Sequence, residues 1–583
     1  LRLAIAMLAR LHQVLIPARS SKAQESFWFW LSLTFSAIYA WLGSRLAFSS
    51  AYVVQDDARQ HVFWMRRFLD STLFPGDLMA DYFQSTAPPG YAAIYRAIAA
   101  VGIDPLLLSK ILPLILALVA TGYCFGVCLQ LLNLPFAAFV STLLLNQNLW
   151  LQDDLVSGIA RAFVYPIFLA FLYYLLKASR SAPSIVSLLP LLVTIALEGL
   201  IYPQLVFIMA GVLLLQGLRW QNGLKLAPNW RISAIGLAVA FVVMLPYAIE
   251  SSAFGPVVTV TEARSMAEFQ PQGRTRLFVP NLWEYWFTEE RSGLFRWIMP
   301  LCILSVPLLP WLLRQPDRFP LVREVRQIGI LVRVAIVSLS MFLAAHALLF
   351  TLYLPSRYSQ NTLQIITALS GAIATVILLD GLLRWAKSAN QPIAAIALTG
   401  ALAGTLLFSP YLWEFPKQTR VFSIGAYPGL YEFLAAQPKD ILVASLAREA
   451  DNIPTFAQRS ILTSREYSIP YHKGYYQQIY QRTDDLIRAQ YSPNRAAVKA
   501  LIDKYGVDFW LVDRRYAARP IPANNAGEIR ITRWLSQFQS TPEVTAQIDR
   551  GATPFVRRSI NRCSVWKQDD LVLLSAQCMI NRE

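Results

Sequence analysis

The feature that most constrains this chain is a series of long apolar stretches separated by short, basic loops. A bilayer-spanning helix needs about 20 mostly apolar residues, because the hydrocarbon core is about 30 Å thick. Stretches of this kind fall at roughly 27–49, 106–131, 135–150, 156–177, 184–200, 203–218, 233–250, 294–313, 329–353, 361–384 and 392–412. The spans at 135–150 and 203–218 are short, and 184–200 with 203–218 also reads as one element broken at Pro203. Charged residues make up 15% of the chain, against about 25% in ordinary soluble domains. The net charge of +16 does not indicate a nucleic-acid partner, because many of the Lys and Arg sit in short loops between apolar runs. Such loops face the cytoplasm.

Counting charge fixes a sidedness. With the N-terminus inside, the inner loops 178–183, 219–232, 314–328 and 385–391 carry Arg180; Arg219, Lys225 and Arg231; Arg314, Arg318, Arg323 and Arg326; and Lys387. The inner turn 132–134 is uncharged. Acidic residues collect on the other side, at Asp56, Asp57, Asp153, Asp154 and from Glu262 to Glu290. The expected protein is therefore a polytopic α-helical membrane protein of about eleven spans, residing in the plasma (inner) membrane. Residues 1–26, with Arg2, Arg10, Arg19 and Lys22, read as a basic cytoplasmic interfacial helix. Residues 27–413 form the membrane domain, with long outer loops at 50–105 and 251–293. Within the first loop, 58–69 is predicted to be an amphipathic helix lying on the membrane surface, with Val62, Met65, Phe68 and Leu69 on one side. Residues 414–583 are predicted to form a soluble, extracytoplasmic α/β domain.

In that tail, Ile441–Ser445 and Phe509–Asp513 read as strands. Ala496–Tyr505 reads as a helix ended by Gly506, and Ser564–Lys567 with Leu571–Ser575 as a hairpin. Cys563 and Cys578 bracket the hairpin, either as a disulfide or as two free thiols. Cys124, Cys128 and Cys302 lie in apolar runs and read as core residues, and no cysteine spacing suits zinc.

Candidate chemistry concentrates at the outer ends of spans. Asp57 followed by Gln60 matches a capping box, which leaves Asp56 unexplained. His61 shares a helix face with Asp57. Asp153 and Asp154 stand at the head of the fourth span, with Arg161 two turns into it, where an unpaired Arg is costly. Asp154 also reads as an N-cap. Glu198 lies at the outer end of the fifth span, facing either a cavity or an Arg. Arg357, in Pro355-Ser356-Arg357-Tyr358, suits an anionic phosphate, since its fork of donors matches phosphate oxygens. The alternative is an interfacial pair, with Arg357 snorkelling and Tyr358 in the aromatic belt. His346 reads as a helix–helix hydrogen-bonding residue, and Arg274 and Arg276 either as contacts to an anionic headgroup or, the preferred reading, as solvated loop residues. A cavity open to the outside, lined by acids and Arg, explains these placements jointly. No Walker-type or dinucleotide loop occurs, which argues against an ATP-driven pump.

The layout resembles the GT-C superfamily of membrane glycosyltransferases. The matching pieces are Asp56-Asp57 after the first span, the helix behind them, Asp153-Asp154 at the fourth, and Pro355-Ser356-Arg357-Tyr358. That last turn is similar to the Pro-x-Arg-Tyr segment of the protein mannosyltransferase-like and aminoarabinose transferase-like branch. The turn lacks the Pro that usually follows, and the tail holds no Trp-Trp-Asp motif. The resemblance covers about 25–412. It implies a hexosyl or pentosyl transferase that uses a polyprenyl-phosphate-linked sugar, an extracytoplasmic acceptor (glycan, lipid or protein) and an inverting displacement. Asp56 or Asp57 would be the base. Arg357, Tyr358, Arg161, Asp153, Asp154, Glu198 and His61 would bind substrate or lipid phosphate. Asp56, Asp57 and Asp154 are the candidate ligands should a divalent cation take part; no other cofactor is implied. A transporter or lipid flippase, and a non-catalytic cell-envelope assembly protein, are the competing readings.

Overall fold

The computed structural model describes every residue except 1, 18, 151–152, 181–184, 221–222, 250–251, 296–299, 413–420, 521–528 and 582–583. The expected boundary between membrane domain and tail, at 413/414, lies outside the described residues.

Each predicted span contains a helix. The first begins at Lys22, earlier than its apolar run, because Ser21 and Gln24 form a reciprocal capping box. Pro105–Leu131 starts on an Asp104 cap, whose carboxylate accepts from the Leu106 N–H at 2.6 Å, with Pro105 at the first helical position. The fifth and sixth spans are separate helices, Ile185–Ile201 and Gln204–Gly217, parted at Tyr202-Pro203. Among the described residues five helices are long and apolar enough to cross a membrane: Pro105–Leu131, Ala160–Ala178, Trp230–Ile249, Gly329–Ala347 and Pro355–Ser388.

Pro105–Leu131 packs on Lys22–Ser44, Pro135–Trp150 and Val164–Ala178, and Gln360–Ser388 packs on Pro135–Trp150 and Pro300–Leu313. Two devices bring these helices close. A Cβ on Gly43 would lie 2.3 Å from the Trp150 ring, so only glycine fits there. Ser36, Thr121 and Asn146 join three helices through hydrogen bonds of 2.9–3.0 Å. In lipid, where burying apolar surface does not drive helices together, packing and polar links of this sort do. The N-terminal helix Arg2–Leu15 is docked onto this bundle, with Leu8 and Leu15 buried and His12 Nε2 2.9 Å from Asp380 Oδ1.

The first long loop differs from expectation. Its helix spans only Asp56–Val62 and tightens into a 3₁₀ turn over Phe63–Phe68. Val62, Phe63 and Met65 are buried in protein, and Phe63 meets Phe74 and Tyr467 edge-on. Of the apolar face expected to meet lipid, Val62 and Met65 are taken up by this packing, Phe68 is half-buried and Leu69 stays exposed.

The tail forms an α/β unit around a five-stranded sheet. The strand order is Ser460–Ile461, Leu442–Ser445, Phe509–Asp513, Leu571–Ser575, Ser564–Gln568. The first three strands are parallel and the last two antiparallel. Gly506, at φ +70°, ends the helix Arg495–Tyr505. A disulfide joins Cys563 and Cys578 beside the hairpin. This unit is tied to both long loops: Val53–Gln55 pairs antiparallel with Phe422–Ile424, and Val257 bridges to His472.

Candidate functional site

Where the two loops, the helix ends and the tail meet, they enclose a cavity of about 360 Å³, within the range of ordinary ligand pockets. The cluster from the first loop enters it through an unexpected cap. Gln55, not Asp57, begins the helix, its side chain accepting from the Ala58 N–H at 3.0 Å. Gln60, the other half of the expected capping box, instead donates to Glu466 in the tail. Asp57 is thereby released from capping and lines the cavity. Asp56 turns the other way, accepting from Arg59 at 2.7 Å and Ser423 at 2.6 Å. The two adjacent acids therefore serve different surroundings.

Arg161 reaches Asp57 because the fourth span is broken. Asp153–Val156 is a separate short helix, Gly158 takes φ +64°, and Ala160–Phe163 is a 3₁₀ turn that leads into Val164–Ala178. Arg161 thus sits at the mouth of the helix rather than two turns inside it. Its guanidinium joins two carboxylates, donating to Asp57 through Nη2 and lying 2.9 Å from Asp154 Oδ1 through Nη1. Asp154 is 1% exposed, so the Arg offsets a costly buried charge. Arg357 Nη1 lies 4.0 Å from the same Asp154 oxygen, and its buried Nε has no hydrogen-bond partner among the described residues.

The electrostatics follow from this enclosure. Burial pushes the Asp57 carboxyl up to about 6; Arg161 pulls it down, while Asp153, Asp56 and Glu290 add to the rise. Burial, helped by Arg161, Arg274 and Arg357, pushes His61 down to about 4, so the ring is neutral at pH 7. His61 makes an edge contact with Phe83.

The donor set does not fit a divalent cation. Asp57 and Asp154 both engage Arg161, Asp56 faces Arg59, and no group of three or more His, Cys, Asp or Glu is so arranged among the described residues. A cation would have to displace the guanidinium.

Other expected site residues fall outside the cavity wall. Asp153 and Asp154 stand behind Arg161. Tyr358 is buried in the helical core, its hydroxyl donating to the Leu352 carbonyl at 2.8 Å. Glu198 is fully buried, and both its oxygens lack hydrogen-bond partners among the described residues; it neither lines the cavity nor forms the ion pair considered for it.

The cavity also holds residues that the sequence placed elsewhere or did not single out. Arg274, expected in solvent, pairs with Glu466 of the tail, and Arg291 reaches the cavity from the same loop. Tyr82, Tyr91, Tyr202, Tyr353 and Tyr471 form much of the remaining wall. Tyr82 also bonds His472 at 3.0 Å. Phe350 and Tyr353, both on the wall, hold φ of +68° and +62°. Side chains avoid that region unless their surroundings over-determine it; here the two backbones bond each other at 3.1 and 3.2 Å.

No family model and no curated protein matches the sequence. Among solved structures the chain is similar to the archaeal oligosaccharyltransferase AglB from Archaeoglobus fulgidus in complex with an inhibitory peptide and a dolichol-phosphate. The TM-score is 0.54 at 11% identity, over 85% of this chain and 70% of that one. The Archaeoglobus fulgidus oligosaccharyltransferase tethered to an acceptor peptide containing the NVT sequon gives 0.53 at 10%, over 90% and 72%. ArnT from Cupriavidus metallidurans in the apo state gives 0.44 at 11%, over 96% and 99%.

Proposed function

We propose that this chain, which has the fold of the GT-C membrane glycosyltransferases, moves a sugar from a polyprenyl-phosphate donor to an acceptor hydroxyl outside the cytoplasm, with Asp57 as the general base. The observation that carries this reading is the pairing of Asp57 with cations on one cavity wall: a carboxylate released from capping faces a space that also presents Arg357 and Arg291. The acceptor oxygen attacks the anomeric carbon while Asp57 takes its proton. The bond from that carbon to the phosphate oxygen breaks, the lipid phosphate leaves with the electron pair, and the carbon inverts. Arg357 and Arg291 stabilise the departing phosphate. Arg161, held by Asp154, aims the base, and the tyrosines offer faces for the sugar. The bound dolichol-phosphate of the AglB structure is consistent in kind with such a donor. The topology that goes with this reading has eleven spans, the N-terminus in the cytoplasm and the tail outside.

Membranes carrying the chain, supplied with radiolabelled polyprenyl-phosphate sugars, are expected to form a labelled product. Asp57→Asn abolishes it, while Asp56→Asn retains most of it. Product formation by Asp57→Asn at the wild-type rate overturns the assignment.

A further inference from the structure

A second cavity, of about 570 Å³, lies in the same outer loop and shares no residue with the first. It is lined by Arg264, Gln270, Phe278, Leu282, Trp286 and His346, with Val279 and Tyr285 between them. Its depth is fixed by His346, which sits at the end of the apolar helix Gly329–Ala347. Leu339 and Leu343 on that helix are 38% and 56% exposed, and Leu282 and Trp283 on the loop are 73% and 66% exposed. Trp286 covers His346 at 4.4 Å between ring centroids, so loop and helix present one continuous apolar surface. Such a surface at a helix end belongs at the bilayer interface, where Trp is enriched.

Within this apolar rim stands one cation. Arg264 is exposed and has no ion pair among the described residues; its guanidinium carbon lies 5.5 Å from the Phe278 ring centre. Of the loop's five acids, Glu284 and Glu289 face Arg276, Glu262 faces Lys473 and Glu290 lies 4.0 Å from Arg291, while Glu268 is buried and forms no ion pair among the described residues. His346 is spent as well, with Nε2 at 3.0 Å from the Ser292 carbonyl and Nδ1 at 3.3 Å from the Tyr285 hydroxyl.

We infer that this cavity binds the phosphodiester of one anionic glycerophospholipid, with Arg264 on the phosphate and the acyl chains against Leu282, Trp286 and Leu343. A single Arg matches the single charge of a phosphodiester. The polyprenyl phosphate released when the sugar leaves its phosphodiester donor is a monoester with more charge, and the larger set of Arg around the reaction cavity suits that product. The bound lipid would fasten the loop that supplies Arg274 and Arg291 to the bilayer. The inference rests on the bilayer depth of the Gly329–Ala347 helix and does not need the transferase reading.

The test is native mass spectrometry of the full chain in detergent, titrated with phosphatidylglycerol, phosphatidylcholine or undecaprenyl phosphate. One phosphatidylglycerol is expected to bind about fivefold more tightly than phosphatidylcholine, as one interfacial cation provides. Arg264→Gln removes that preference and Arg264→Lys keeps it, with all three proteins melting alike because the side chain is exposed. The inference is overturned by equal binding to wild type and Arg264→Gln, by equal binding of the two phospholipids, or by undecaprenyl phosphate displacing phosphatidylglycerol from this site. None of these outcomes bears on Asp57, so failure here and failure of the transferase reading are separable.

Discussion

At the scale of single residues, the argument turns on how two neighbouring carboxylates come to differ. Asp56 faces a guanidinium and a hydroxyl from Arg59 and Ser423. Asp57 faces the cavity, where burial raises it to about 6. A general base must be ionised, so its work is present above that value and lost as pH falls through it. The rate of sugar transfer is therefore expected to climb with pH along a single-proton limb centred near 6. Arg161 holds the Asp57 value down, so Arg161→Gln should move that limb to higher pH as well as slow the reaction. A pH–rate profile that is flat from 5 to 8, or one that shifts to lower pH in Arg161→Gln, contradicts Asp57 as the base. In the sequence, the pair was visible but its division of labour was not. The spacing of Asp57 and Gln60 looked like a cap, and only the tertiary pull of Glu466 on Gln60, from 406 residues away, shows why Gln55 caps instead.

At the scale of elements, Glu466 is the joint between three parts of the molecule. It pairs with Arg274 of the second loop, lies 3.4 Å from Arg59 of the first, and receives Gln60 on its backbone carbonyl. All three charged groups are largely buried. Removing one member of a buried ion network leaves the others without compensation, at a cost on the order of 3–5 kcal/mol. Glu466→Ala is thus expected to free the second loop. Trypsin should cut after Arg264 or Arg274 several times faster than in wild type, with the loop cut before the helical bundle unfolds. Unchanged cleavage would mean that the loop is held by its own packing, for instance Phe269 against Phe350 and Tyr471. Legibility follows the range of the forces involved. The hairpin at 564–575 and the helix ended by Gly506 were readable because alternation and a left-handed cap are local signals. Arg274 and Arg291 were not, because 251–293 carries no periodicity and the partner of Arg274 lies 192 residues on. The break at Gly158 was missed for a related reason: apolar content alone does not tell a straight helix from one that turns at its mouth.

At the scale of the whole molecule, the contacts decide what must share a side. Asp57 with Arg161, Arg357 near Asp154, Val53–Gln55 paired with Phe422–Ile424, and Val257 bridged to His472 together place the first loop, the second loop, the Pro355–Tyr358 turn and the tail at one end of the helical bundle. The basic loop with Arg314, Arg318, Arg323 and Arg326 belongs to the other end, which the proposed topology puts in the cytoplasm by the positive-inside rule. The chain is well suited to a direct test. Cys124, Cys128 and Cys302 are buried and Cys563 is bonded to Cys578, so the native protein offers little background to a membrane-impermeant maleimide. Ser71→Cys in the first loop and Lys567→Cys in the tail, both at exposed positions, are expected to label in intact cells. Arg323→Cys, exposed in the basic loop, should label only after the membrane is opened. Labelling of Arg323→Cys alone would put the cavity on the cytoplasmic side, and labelling of all three in intact cells would require an even number of spans between the first loop and residue 323. The first result removes the outward-facing transferase, because its acceptor would then meet the wrong face of the bilayer whatever Asp57 does within the cavity; the second overturns the eleven-span count and leaves the cavity outward.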